Sequence, residues 1–184
     1  MQEFFGDRAV SCTVTGKDSE KIVFKRASKS YGSYLENFVY SGLLQDNTKL
    51  VNGDAITNNG NTYYMVARRH GAFSEIGKLI QCNTTVDLVK KVKKYVDHEF
   101  VGYEDTTVAS VPANFREVSG AMKLYDPGLL PTTTVKLIVP VVSIAVKDRV
   151  KVKGNILTID FIDSTTNDGV YTLQCSPDNG KTSS

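Results

Sequence analysis

Two histidines and three cysteines are the residues of this 184-residue chain best suited to chemistry. His70 sits in "RRHG" and His98 in "VDHEF", where Asp97 and Glu99 flank it. A metal centre would need these rings to converge with further ligands, and the chain has neither an HxxxH nor an HxH spacing. The plain reading of both is a surface histidine. Cys12, Cys82 and Cys175 form no CxxC pair, and a thiol nucleophile would need His and Asn or Asp partners that one sequence cannot place. "GKTSS" at 180–184 ends like a phosphate-binding loop, yet Cys175 stands where that motif needs its first glycine, and no helix follows. "NTT" at 83–85 matches a glycosylation acceptor, which is idle without secretion. No enzyme signature survives, so the expectation is a non-enzyme with no catalytic residue, no cofactor and no metal.

The bulk properties are those of a soluble globular protein, with 41% hydrophobic and 23% charged residues. Twenty-two basic residues against 20 acidic ones give a net charge of +2, too small a bias for a dedicated DNA binder. "MQEFFGDRAV" carries no signal peptide, so the expectation is synthesis in the cytoplasm with reduced thiols. The longest apolar run, "VKLIVPVVSIAV", is broken by Pro140 and is too short to span a bilayer; no membrane association is expected.

The elements that would position any site read as β. Residues 8–15 and 20–27 form a hairpin around "GKDS", and "AIT" and "TYYMVARR" form another around "NNGN", whose Asn59-Gly60 is the strongest hairpin signal in the chain. The Tyr/Ser/Gly-rich stretch 28–49 reads as an irregular arm or long loop, with room for a short helix near 34–40. In 86–96 the alternation of "TTVDLV" favours a long strand, while Val86, Val89, Val92 and Val96 also fit helical spacing. Residues 102–126 read as loops and short strands. "DPGLLP" is a turn in which Pro127 fixes φ and Gly128 tolerates positive φ. The expected fold is therefore mainly β: a single domain over 1–184, a small barrel or sandwich with long loops or arms and at most one or two short helices, and a flexible tail at 176–184.

Residues 49–82 can be laid over 143–175. Asp54 then meets Asp148, Gly60 meets Gly154, and Asn61 meets Asn155. Leu50 pairs with Ile144, Ile56 with Val150, Met65 with Ile159 and Leu79 with Leu173, and after a gap Gln81-Cys82 meets Gln174-Cys175. These are turn and core residues, so the repeat specifies shape and not chemistry. An Asp at the start of the hairpin can accept from nearby amides, and the Gly permits the reversal.

"KKVKK" at 90–94 is the dense basic patch, with Lys90, Lys91, Lys93 and Lys94 interleaved with apolar residues. It reads as a solvated face, or as a surface turned to a nucleic-acid backbone or an acidic partner. Tyr31, Tyr34, Phe38 and Tyr40 cluster in the stretch after the first hairpin and suit a subunit-interface arm better than a base-stacking platform.

"DPGLLPTTTVKLIVP", followed by "VKDRVKVKGNILTIDFID" and "GVYTLQCSPD", resembles the head–tail joining proteins of tailed bacteriophages, in particular the head-closure (neck or stopper) group. The likeness covers residues 120–178 and extends weakly over 50–82 through "LVNGDAITNNGNTYYMVARR". It implies a β-barrel subunit of the virion neck that forms a ring of about six or twelve copies. Its partners would be the portal or adaptor, the tail terminator or other tail proteins, and DNA passing through the lumen without sequence specificity. Lys90–Lys94 would face the channel or an acidic partner ring.

Two other readings stay open. A tail terminator is also a β-rich ring. A single-strand nucleic-acid-binding barrel would want aromatics beside basic residues, whereas the Tyr cluster and most basic residues lie in different segments of this chain.

Overall fold

A computed structural model describes residues 8–26, 38–71 and 74–178. In chain order these form β1 (Val10–Val14), β2 (Glu20–Arg26), β3 (Val39–Leu44), β4 (Ala55–Asn58), β5 (Asn61–His70) and β6 (Glu75–Gln81). There follow β7 (Thr84–Val96), β8 (Glu99–Glu117), a short helix α1 (Gly120–Tyr125), β9 (Val135–Pro140), β10 (Arg149–Val152), β11 (Asn155–Asp163) and β12 (Val170–Pro177). The mainly β expectation is met, with one short helix among the described residues. The barrel is met twice.

The strands close into two barrels, ordered β1-β2-β3-β6-β5-β4 and β7-β8-β9-β12-β11-β10. The chain divides into two compact units, Met1–Cys82 with Ser164–Val170, and Asn83–Asp163 with Tyr171–Ser184. Closure follows from the alternation of each strand. In β1, Cys12 and Val14 point inward and their neighbours outward, and in β10 Val150 and Val152 do the same. A twisted sheet with one apolar face buries that face by curling on itself, which also removes its edges.

The two barrels have the same connectivity, strand for strand, and the second hairpin of each is built alike. Asp54 Oδ2 accepts from the Val51 N–H at 2.8 Å, and Asp148 Oδ2 accepts from the Ala145 N–H at 2.8 Å. The Met65 amide donates to the Asp54 carbonyl at 3.0 Å, and the Ile159 amide to the Asp148 carbonyl at 2.9 Å. The reversals Asn59-Gly60 and Lys153-Gly154 both use two residues of positive φ, the mirror-image turn that matches strand twist. Both longer strands carry a bulge just beyond Met65 and Ile159. The turn-defining roles of Asp54, Gly60, Asp148 and Gly154 thus have a direct geometric basis.

The last strands correspond differently from the sequence alignment. Met65 pairs with Leu79, while Ile159 pairs with Cys175, so Leu79 matches Cys175 and not Leu173. Leu173, paired with Ile162, holds the place of Gly77, which pairs with Arg68. The shared Gln-Cys letters were out of structural register.

Other expectations need correction. Part of the stretch read as an arm is β3, a strand on which Tyr40 packs against Phe24 and Tyr63, with ring centroids 6.5 and 5.4 Å away. Residues 102–117, read as loops and short strands, belong to the 19-residue β8. Ser176 and Pro177, assigned to a flexible tail, end β12, and the Asp178 amide donates to the Ile156 carbonyl. His70, expected in a turn, is the last residue of β5. "DPGLLP" does turn, with the Gly128 and Leu129 amides donating to Asp126, but Gly128 is not among the residues of positive φ. The loop is pinned instead by buried Gln174, whose Oε1 accepts from the Leu130 amide and Thr133 hydroxyl while its Nε2 donates to the Gly128 carbonyl.

Candidate partner-binding arm

In the first barrel, β1 and β2 are joined by a short turn after Val14. In the second, the equivalent strands run on. Ile56 pairs with Val14 and Val150 with Leu88, so Leu88 stands where Val14 does, and there the first barrel turns back. The second continues through Val96, reverses at Asp97-His98 and returns along β8. β7 is paired to β10 only over Asp87–Val89, and β8 to β9 only over Asn114–Glu117. Residues 107–113 pair with 84–89 in the barrel wall, so residues 90–106 form a two-stranded arm growing out of one barrel.

The reversal has no glycine. Asp97 and His98 adopt φ of 49° and 68°, the left-handed region that Asp and His enter more readily than most residues. That is why the signal was missed: no Asn-Gly or Asp-Gly marks it. The strand reading of 86–96 holds, and the helical spacing of its valines is incidental.

Cross-strand pairing sorts the arm into two faces. Lys93 pairs with Tyr103, Tyr95 with Phe100, and Lys91 with Asp105 on one; Val92 with Glu104 and Val96 with Glu99 lie on the other. On the first face the rings of Tyr95, Phe100 and Tyr103 stack edge-on in sequence at 5.8 and 5.3 Å between centroids. All three are more than half exposed, at 57%, 51% and 59%. Val92, Val96 and Val101 are exposed as well. Towards the barrel, Asp105 takes Arg149 at 3.1 Å and Lys151 at 3.8 Å, fixing the base of the arm. On the other face, Lys94 meets Glu104 at 3.4 Å.

Magnitudes decide what such a surface can do. Covering one of these large apolar side chains would contribute about 1.5–3 kcal/mol, while an exposed ion pair contributes about 0–1 kcal/mol. The aromatic tip can supply affinity, and the charges can select what binds. Sequence reasoning found the lysines and the interleaved Tyr95 and missed Phe100 and Tyr103, which come into register with Tyr95 and Lys93 only when the hairpin closes.

The other candidate residues are dispersed. Tyr31, Tyr34 and the "GKTSS" segment lie outside the described residues. Phe38 precedes β3, where its carbonyl accepts from the Gln81 amide, and Tyr40 donates its hydroxyl to Gln81 at 3.2 Å; neither belongs to an arm. His70 Nδ1 lies 2.9 Å from Glu75 in the first unit, and His98 caps the arm of the second. Among the described residues no group of three or more His, Cys, Asp or Glu is placed to hold a metal ion. Nor is any helix among them long and apolar enough to cross a membrane. Asn83, in the glycosylation-like triplet, is occupied: its side chain bonds both the N–H and the carbonyl of Phe115 at 2.8 and 3.0 Å. Burial raises all three thiols, Cys12 to about 11 and Cys82 and Cys175 to about 12, which makes them poor nucleophiles.

Compared with known proteins, the chain matches no family model and no curated protein.

Proposed function

We propose that this chain is a structural assembly subunit without catalytic activity, and that it serves in the neck of a tailed-phage virion. The observation that carries the assembly reading is the arm: exposed aromatics at 51–59% on a hairpin rooted in a closed barrel. A soluble monomer gains nothing by holding such a surface in water, whereas a subunit that must seat on neighbours needs it. Placement in the neck rests on the resemblance of residues 120–178 to head–tail joining proteins. In that role the barrels give rigid position, and the arm, together with the exposed Leu124 and Tyr125 of α1, gives contacts.

Quantitative mass spectrometry of purified particles and of purified free tails tests the placement. About six or twelve copies per DNA-filled particle, missing from tails, are expected of a neck ring. The same copies on free tails would reassign the chain to a tail terminator, and absence from both would end the virion reading.

One observation favours a second reading, single-strand nucleic-acid binding. The arm sets Lys91 and Lys93 on the same face as Tyr95, Phe100 and Tyr103, the combination that stacks bases and neutralises phosphates. Salt-dependent binding of an oligonucleotide, lost on Tyr95→Ala with Phe100→Ala, would establish it.

A further inference from the structure

We propose that the arms of neighbouring copies of this chain pair edge to edge, the basic β7 edge of one copy against the acidic β8 edge of the next. The inference rests on the assembly role above and names its surface and partner.

The arm has two open edges. Among the described residues no strand pairs with the outer side of β7 over 90–96, nor with the outer side of β8 over 99–106; at the root of the β7 edge the Lys90 ammonium donates to Ser143 Oγ at 3.2 Å. The edges differ in charge. The β7 segment "KKVKKYV" carries four lysines and no acid, and the β8 segment "EFVGYEDT" carries three acids and no base. Alternation puts Lys90 and Lys94 on the same face as Glu99 and Glu104.

This asymmetry selects the mode of pairing. A two-fold contact, β7 on β7 or β8 on β8, would set like charges opposite one another, which is destabilising. Lysines are a common guard against just that self-pairing. A head-to-tail contact sets lysines beside acids. It also keeps strand direction regular: β8 and β7 are antiparallel, so adding the next copy's β8 beside β7 continues an antiparallel sheet. Repeated with a fixed rotation, the step closes into a ring of arms with no edge left over. One face of that ring carries Lys91, Lys93 and the Tyr95–Phe100–Tyr103 row, so the aromatics of adjacent copies come into reach.

Rival occupants fit less well. A lipid surface would have to accept Asp97 and Glu99 at the apex of the arm. Nucleic acid would meet three carboxylates within the same hairpin, one already bonded to Lys94.

The test is a charge swap on the full-length chain at roughly 0.5 mM, where even a weak interface is populated, followed by sedimentation velocity and native mass spectrometry. The wild type is expected to form closed oligomers. The double variant Lys90→Glu, Lys94→Glu sets acids against Glu99 and Glu104 on their shared face and should stay monomeric, as should Glu99→Lys, Glu104→Lys, which sets lysines against lysines there. Mixing the two should restore oligomers in which they alternate, and this rescue also shows that each variant is folded. A wild type that remains monomeric, a single variant that assembles as well as the wild type, or a mixture that stays monomeric overturns the proposal, as does oligonucleotide binding that dissociates the oligomers. The neck reading fails separately: charge-swap rescue with the chain absent from particles would keep the arm pairing and discard the neck. Chain present in the neck with the Lys90→Glu, Lys94→Glu variant assembling normally would do the reverse.

Discussion

Gly42 and Leu137 hold the same position in two identically connected barrels. Gly42 faces Phe24 across the β2–β3 pair as Leu137 faces Phe115 across β8–β9. They differ by a whole side chain because their neighbours differ in the opposite sense. A Cβ at Gly42 would come within 3.0 Å of Ile22 and 3.1 Å of Leu79. The residues in those places in the second barrel are the small Ala113 and Cys175, both fully buried. Gly77 repeats the pattern in part: its Cβ would meet Met65 at 3.2 Å and Leu44 at 3.3 Å, whereas Leu173 shares its core with Ile159 and with Val139, smaller than Leu44. Each barrel fills a similar lumen with its own division of volume.

Exchange of that division is testable. Gly42→Leu alone should overpack the first barrel and cost about 1–3 kcal/mol or more, and Ile22→Ala alone should cost about 2–5 kcal/mol through its cavity. The double change Gly42→Leu, Ile22→Ala should cost less than the sum of the two, recovering part of the loss. Urea unfolding of the four proteins measures this, and strict additivity would mean that the sites do not share a lumen.

The arm should be dispensable to the barrel beneath it. Val89 pairs with Thr107, so replacing residues 90–106 by Asn-Gly leaves a two-residue hairpin turn between paired residues. The surface ion pairs of Asp105 with Arg149 and Lys151 are lost, at about 0–1 kcal/mol each. A melting temperature within a few degrees of the wild type is expected, together with complete loss of self-association. A collapse of stability would make the arm a structural element.

Glu75 ties folding to acid pH. Hydrogen bonding from Arg68 holds its carboxyl below the ordinary value of 4.5, reinforced by the charges of Arg68 and His70. A carboxylate with a depressed folded pKa contributes stability that is present above its unfolded pKa and lost as the pH falls through the folded one. Stability should therefore drop below about pH 4.5, and the drop should be smaller in Glu75→Gln. Chemical denaturation at several pH values between neutrality and pH 3 reads it; equal slopes in the two proteins would remove Glu75 from the account.

The thiols make the opposite prediction at alkaline pH. With pKa values pushed from 9.0 to about 11 for Cys12 and about 12 for Cys82 and Cys175, the folded state resists ionisation that the unfolded state permits. The stability they contribute is complete below pH 9.0 and is lost as the pH rises beyond it. At pH 8 a disulfide reagent should label the native chain slowly and all three cysteines at once after unfolding. Fast labelling of the native chain would contradict the burial.

Much of this was legible in the letters. Asn59-Gly60 and Lys153-Gly154, each followed by an alternating strand, specified two hairpins, and the recurrence of Asp54 and Asp148 before them showed one device used twice. Local chemistry sufficed there, because a turn depends on a few adjacent residues. Where packing between distant strands decides, the letters misled. Leu79 was matched to Leu173, since identical side chains look equivalent, yet lumen position depends on which partner strand each one faces. Tyr40 looked like an arm residue because it follows a Tyr/Ser/Gly-rich stretch; only Phe24 and Tyr63 across the sheet pack it against the core. The lysines of β7 were plain in the sequence. Their companions Phe100 and Tyr103 were not, because the two reach them through an Asp-His reversal that no glycine announces. Composition and alternation determined that the chain would be mainly β, a barrel or a sandwich. Pairing between strands far apart in sequence decided that there would be two barrels, that one volume could be divided in two ways, and that the second barrel would raise an arm.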